Sequence, residues 1–378
     1  MSFGYLRPVG EYLPLSARPS TAFRWPEGYS IAWCDSGTTA LGLALRVANA
    51  IKPQSSPTAL MPAYTCPDVV SAALWADVKP VIVDTQADTP WLAPDALLAK
   101  MDRSVAAIIA PHFLGIRHPC GYVSQLCRDA GALLIEDSAQ LGPTSRAFKP
   151  EGDLVVLSFG RGKPVPAGGG ALLYRQQFAD VVSPLLDALP EKRLSASGWK
   201  LRAALQNVVM TRTGFAMVRR MPWMHVGETR FKKLTAPRRL DPPAAARVEG
   251  VLVQWAHEQR KIVQALRAIL QRLALRDTAT DLGWDGGSPL LRYPVLMRDR
   301  ATRDEICDMM HGGNIGATVL YGTVLTELTG VPAQGKMIGL SRARDFATRL
   351  LTLPCHSAVK ASDLNRIEAI LDTKGGGE

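Results

Sequence analysis

Leu154-Val-Val-Leu-Ser-Phe-Gly-Arg-Gly-Lys-Pro-Val-Pro-Ala-Gly-Gly-Gly-Ala-Leu-Leu-Tyr174 is the stretch on which the reading of this chain turns. Its apolar start predicts a buried strand that delivers Ser158 into a glycine-flanked loop holding one lysine, Lys163. Pro164 and Pro166 stiffen the exit from that loop, and Gly168 to Gly170 permit close approach of backbone or ligand. A lysine held this tightly is a poor choice for a solvated surface charge. Lys163 is therefore the first candidate reactive group.

Working outward, short apolar strands alternate with helices. Strands are predicted over 58–61, 79–84, 105–110 and 132–136, the last ending in Asp137, and helices over 67–76, 94–101 and 122–130. That alternation predicts a mostly parallel sheet covered on both faces. Ligands in such folds gather beyond the carboxyl ends of the strands. Tyr64, His112, Asp137 and Ser158 all follow strands, so one crevice is expected to collect them. Upstream, Ser36-Gly37-Thr38-Thr39-Ala40-Leu41 opens a helix to about residue 51, with good N-cap residues and unpaired first-turn amides suited to a phosphate.

The first 30 residues, punctuated by Pro8, Pro14, Pro19 and Pro26, are expected to form an irregular arm. Residues 176–240 break the rhythm as a basic helical insertion. It carries Lys192, Arg193, Lys200, Arg202, Arg219, Arg220, Lys232, Lys233, Arg238 and Arg239, with Met221, Trp223 and Met224 interspersed. It reads either as a helical hairpin with a solvated face or as a surface for an acidic ligand or anionic membrane. Beyond it, a long amphipathic helix is expected over 247–275, a strand over 290–297, a helix over 303–311 and a strand over 318–321. Residues 374–378 read as a frayed tail.

Composition narrows the classes. A chain of 378 residues, 47% hydrophobic and 21% charged, suits a globular protein with one large α/β domain and a smaller one, expected at 1–245 and 246–378. No run approaches the ~18 apolar residues of a membrane span, and the N-terminus lacks a signal pattern, so a cytoplasmic location is expected. The six cysteines form no Cys-x-x-Cys pair and no array at zinc spacing, which predicts reduced thiols and no metal site. The formal charge of +10 favours anionic partners. Aromatic platforms and a helix motif for nucleic acid are lacking, so that class is set aside. The Gly168–Gly170 run has neither Walker nor dinucleotide spacing.

A lysine for an aldehyde, an acid for a pyridine nitrogen and donors for a phosphate are what a pyridoxal phosphate (PLP) enzyme requires. Lys163, Asp137 and the set Gly37, Thr38 and Ser158 supply these types. The ordered motifs Ser36-Gly-Thr-Thr-Ala-Leu41, Pro62-Ala-Tyr-Thr65, Pro80-Val-Ile-Val-Asp84, Pro111-His-Phe-Leu-Gly115, Ile135-Glu-Asp-Ser-Ala-Gln140, Ser158-Phe-x-x-x-Lys163 and Leu350-Leu-Thr-Leu-Pro354 resemble the DegT/DnrJ/EryC1/StrS aminotransferases. The resemblance covers nearly the whole chain.

It implies an α/β fold of PLP fold type I, aspartate-aminotransferase-like. That fold has a large, mixed, mostly parallel seven-stranded sheet and a smaller α+β C-terminal domain. It implies a Schiff base on Lys163, Asp137 against the pyridinium, Gln140 on the oxygen side of the ring, and Gly37, Thr38 and Ser158 on the phosphate. It also implies a cytoplasmic homodimer that moves an amino group, with glutamate as amino donor, to a nucleotide-linked keto sugar. Relatives with histidine in place of the lysine dehydrate their substrates; the lysine here favours transamination. Dehydration or elimination on the same fold, and a PLP-binding regulator without turnover, are the alternatives.

Two positions depart from the family pattern. Cys66 stands where an aromatic ring ordinarily stacks on the cofactor, with Tyr64 close by as a substitute. Pro237-Arg-Arg-Leu240 keeps an arginine, Arg239, of the loop that crosses to the neighbour's phosphate but lacks its asparagine. His112 reads equally as a cofactor contact or a supporting histidine. Tyr321 and His356 read as substrate-mouth or packing residues.

Overall fold

The computed structural model describes residues 4–15, 18–193, 195–221, 229–255, 260–332 and 339–375. Trp223 and Met224, residues 256–259 of the expected long helix and the last three residues of the tail lie outside the described residues.

The elements begin β1 (Tyr29–Cys34), α1 (Gly37–Ile51), β2 (Thr58–Pro62), α2 (Asp68–Trp75), β3 (Lys79–Val83), α3 (Pro94–Leu98), β4 (Val105–Pro111), α4 (Gly121–Ala130), β5 (Leu133–Asp137), β6 (Leu154–Ser158) and β7 (Gly170–Arg175). Then come α5 (Ala179–Asp187), β8 (Glu191–Lys192), α6 (Ala196–Met210), α7 (Arg212–Arg219), β9 (Arg239–Leu240) and α8 (Pro242–Gln254). The chain closes with α9 (Arg260–Arg272), α10 (Thr278–Asp281), β10 (Tyr293–Leu296), α11 (Arg300–Gly312), α12 (Ser341–Arg349), β11 (Leu350–Leu353) and α13 (Ala361–Gly375).

The large sheet runs β3-β2-β4-β5-β6-β7-β1-β9-β8. Its seven full strands match the number that the resemblance implied; the two-residue strands β9 and β8 extend the β1 edge, making nine. β3, β2, β4, β5 and β6 pair in parallel, whereas β7 is antiparallel to both β6 and β1. Central strands are buried on both faces, as crossover helices require. Along β2, Ala59 and Met61 join the core under α1, while Leu60 joins a second core with Val83, Ile108, Val123 and Leu134 under α3 and α4. Alternation along one strand thus serves two layers.

The N-terminal residues are irregular but firmly packed. Both the N–H and the C=O of Leu13 bond the Asn207 side chain on α6, at 2.8 and 2.9 Å. The buried Arg7 guanidinium donates to the carbonyls of Gly10 (3.0 Å) and Met210 (2.7 Å). Leu13, Trp199 of α6 and Val251 of α8 then cover the remaining face of β6 and β7.

Two expected elements differ. The helix expected over 247–275 is two helices: α8 starts earlier, on an Asp241 cap followed by prolines, and ends where Trp255 turns extended. The strand expected at 318–321 reduces to a single bridge, Thr318 to Thr352, because Leu320 (φ 56°) and Gly322 (φ 72°) turn the chain. In the C-terminal part, β10 and β11 form a two-stranded antiparallel sheet with α11, α12 and α13 packed nearby.

Candidate functional site

Three strand ends and one helix start meet at the carboxyl edge of the large sheet. Asp137 closes β5 and Ser158 closes the neighbouring β6. Gly37 and Thr38 open α1, which follows β1 after a two-residue link. Ser36 caps that helix: its hydroxyl accepts from the Thr39 amide at 3.0 Å and its carbonyl from the Ala40 amide at 3.1 Å. The Gly37 and Thr38 amides remain at the open, positive end of the helix.

Close approach explains the glycines. A Cβ on Gly37 would lie 2.6 Å from Ser158 Cβ, and one on Gly170 would lie 2.4 Å from the Ser36 carbonyl carbon. Together these residues shape a cleft whose walls include Gly37, Thr38, Cys66, Asp137, Ser158 and Lys163. Lys163 reaches it from a turn closed by its amide on the Gly160 carbonyl (3.3 Å), with Gly162 at φ 72°.

Burial raises the Asp137 carboxyl above its ordinary range, and the Lys163 ammonium and the Ala139 amide (3.1 Å) oppose that rise. A buried carboxyl facing one cation is a ready partner for a second, ring-borne cation. Burial pushes the Cys66 thiol up to about 12, so it stands in the wall as a neutral group. Ser158 has a hydroxyl with no hydrogen-bond partner among the described residues.

Asp68 was not anticipated. It begins α2, lines the same cleft, and accepts a hydrogen bond from the Thr38 hydroxyl at 3.2 Å. Its only sequence signal is an acid beside Pro67 in a helical first turn, which ordinarily marks nothing but a helix start. A second, narrow cavity also touches Lys163, with Gly10, Glu11, Gln140, Pro164 and Leu291 on its walls. Gly10 and Glu11 come from the N-terminal arm, where no sequence signal marked them.

The other candidates are distributed around these cavities. The Gln140 side chain accepts from the Leu114 amide (2.9 Å) and donates to the Tyr321 hydroxyl (2.7 Å), joining the sheet edge to the C-terminal part. Tyr64 is turned into an aromatic group with Phe113, Tyr321 and Phe346, at ring separations of 6.0, 5.2 and 5.1 Å, and does not line the cleft beside Cys66. His112 is likewise drawn away. Its Nδ1 accepts from the His118 amide at 3.0 Å, so Nε2 carries the proton toward Glu136 Oε2 at 3.0 Å. Glu136 precedes Asp137 in β5, and strand alternation puts the two on opposite faces. Arg239 pairs with Glu191 (3.5 Å) at the sheet edge. His356 is buried against the Arg7 carbonyl at 2.8 Å.

These residues suit PLP. Asp137 offers a buried acid, Lys163 an amine, and the α1 amides with the free Ser158 hydroxyl offer donors to a phosphate. Cys66, this chain's departure from the family pattern, and Asp68 stand in the same walls. Among the described residues no cluster of His, Cys, Asp and Glu suits a metal ion, and no helix is long and apolar enough to cross a membrane.

Protein MosB of Rhizobium meliloti is 30% identical over 152 residues, 39% of this chain and 29% of that protein. GDP-perosamine synthase of Caulobacter vibrioides is 31% identical over 143 residues, 37% of this chain and 38% of that protein. The chain thus aligns with about a third of the length of these curated relatives. The solved structure of Helicobacter pylori PseC, an aminotransferase involved in the biosynthesis of pseudoaminic acid, has a TM-score of 0.69 at 17% identity, covering 92% of this chain and 87% of that one. It shares the fold. The model of the DegT/DnrJ/EryC1/StrS aminotransferase family matches residues 26–181 and 246–372, leaving out the segment that carries α6 and α7. With most of its length matched, this chain belongs to the DegT/DnrJ/EryC1/StrS aminotransferase family.

Proposed function

We propose that this protein is a PLP-dependent aminotransferase that takes an amino group from an amino acid, glutamate by family analogy, and gives it to a keto sugar carried on a nucleotide. The observation that supports this most is the meeting of Lys163, Asp137 and the Gly37–Thr38 helix start in one cleft. PLP, when bound, supplies a carbon that an amine attacks and a ring that accepts electrons.

In this reading the chain's own residues divide the work. Lys163 anchors the cofactor through its Nζ and, once released, carries a proton at that atom. Asp137, buried with the Lys163 ammonium as a nearby cation, would pair with the ring nitrogen of the bound cofactor. The α1 amides and Ser158 hold the phosphate. Gln140 and Tyr321, tied at 2.7 Å, orient what enters from the second cavity. The unit 1–245 carries the cofactor groups and 246–378 contributes Tyr321. The protein acts as a cytoplasmic homodimer.

Single-turnover chemistry tests the proposal. Protein loaded with PLP is mixed with L-glutamate, and the visible band of the bound cofactor and the 2-oxoglutarate formed are followed together. Loss of the band with one 2-oxoglutarate per site is expected. A band that no amino donor changes would count against transamination and leave binding without turnover.

A further inference from the structure

A roomy cleft lies beside the Lys163 loop, not in it. It measures about 280 Å³ and is walled by Arg161, Leu201, Arg202, Leu205, Gln206 and Val209. All but Arg161 belong to α6, in the segment that the family model leaves out. Arg161 stands two residues before Lys163.

Three features of this cleft ask for a ligand. Arg161 and Arg202 face the same space, and neither has an acidic partner among the described residues. Arg202 is packed so tightly under the loop that a Cβ on Gly168 would lie 2.6 Å from its Nη1. Burial, and then repulsion from Arg161, lower its pKa, so the two charges are held together at a cost that a bound anion would relieve. Second, Gln206 is 7% exposed and its Oε1 is buried without a hydrogen-bond partner, on the wall of the cleft. Third, the wall continues into solvent as an aliphatic strip: Leu201 is 63% exposed, Leu205 59% and Val208 62%, spaced for one helix face.

We propose that this cleft is a binding site for a diphosphate ester with an aliphatic body. Arg161 and Arg202 hold the diphosphate, and the hydrocarbon lies along Leu201, Leu205 and Val208. Gln206 Oε1 accepts from a hydroxyl or a protonated phosphate oxygen. Among the described residues the wall beside the two arginines is aliphatic, with no aromatic ring to stack a nucleobase, which favours a hydrocarbon body over a nucleoside. A second copy of this chain is a poorer occupant, because a two-fold contact through this face would set Lys200, Arg161 and Arg202 against themselves. The inference goes beyond the proposed function and does not depend on it, since it concerns binding alone.

Calorimetric titration of the full-length protein with farnesyl diphosphate, inorganic pyrophosphate and UDP tests this. Farnesyl diphosphate is expected to bind about tenfold or more tightly than either of the others. R202Q and R161Q should each weaken it about tenfold or more, and L205E should weaken farnesyl diphosphate far more than pyrophosphate. Arg161 is exposed, so R161Q keeps the test open should R202Q fail to fold. Tighter binding of UDP, binding untouched by R161Q, or a dimer that L205E converts to monomers would each overturn the inference. Failure of PLP to load on Lys163 would instead sink the proposed function and leave this site standing.

Discussion

The Thr38 hydroxyl donates to the Asp68 carboxylate across 3.2 Å, at the end of the cleft where α1 presents its free amides. A carboxylate beside a phosphate cradle repels the dianion it is meant to receive. D68N removes that charge while its amide oxygen can still accept from the Thr38 hydroxyl. It should tighten PLP roughly tenfold, measured by equilibrium dialysis. Weaker binding in D68N would mean that the carboxylate organises the cradle more than it opposes the phosphate.

Gly37 has no room for a side chain, since its Cβ would sit 2.6 Å from that of Ser158. G37A must push α1 away from β6, at a cost of about 1–3 kcal/mol. The expected result is a small fall in melting temperature with at least a roughly tenfold loss of PLP affinity, because the displaced elements are the two that carry the phosphate donors. Unchanged affinity would place the phosphate elsewhere.

His112 is expected to matter for stability and hardly at all for the cofactor. Its Nε2 proton goes to Glu136, which also accepts from the Glu151 and Gly152 amides at 2.7 and 2.6 Å. H112A takes a buried partner from a buried acid and leaves a cavity, so it should destabilise by about 3 kcal/mol in urea titrations. PLP affinity should stay within about threefold. The reverse pattern would return His112 to the cofactor.

Why some residues were legible and others not follows from these geometries. Asp137, Ser158 and the Gly37–Thr38 start lie at the ends of strongly patterned elements, so periodicity alone put them at one edge of one sheet. The Lys163 loop announced itself through its glycines and prolines. His112 and Tyr64 also follow strands, but the one residue that decides which way a ring turns is a distant partner: Glu136 for one, Phe346 for the other. Asp68 looks like any first-turn acid until Thr38 is folded against it. Gly10 and Glu11 sit in an arm whose order comes from Asn207 and Arg7 bonds to segments some two hundred residues away, which no local pattern contains.

Acid sensitivity should come partly from Asp363. Burial alone would raise its carboxyl. Hydrogen bonds from Arg212, the Lys360 amide (2.8 Å) and Arg366 (2.6 Å) outweigh that and hold it below its ordinary value of 3.8. Its stabilisation is therefore fully present above the unfolded value and lost as pH falls through the lower folded one. D363N should cost about 3 kcal/mol at pH ~7 and show a shallower loss of stability below pH ~4 than the unaltered protein, by urea titration across pH. Parallel acid profiles would remove Asp363 from the account.

The central claim is that one amine, Lys163, holds the cofactor. Borohydride reduction of the PLP-loaded protein fixes the cofactor to whatever amine carries it, and peptide mapping then locates the mass. The account predicts a single labelled peptide bearing Lys163, with no label in K163A. A stoichiometric label on another lysine, or none on protein that binds PLP, would contradict it.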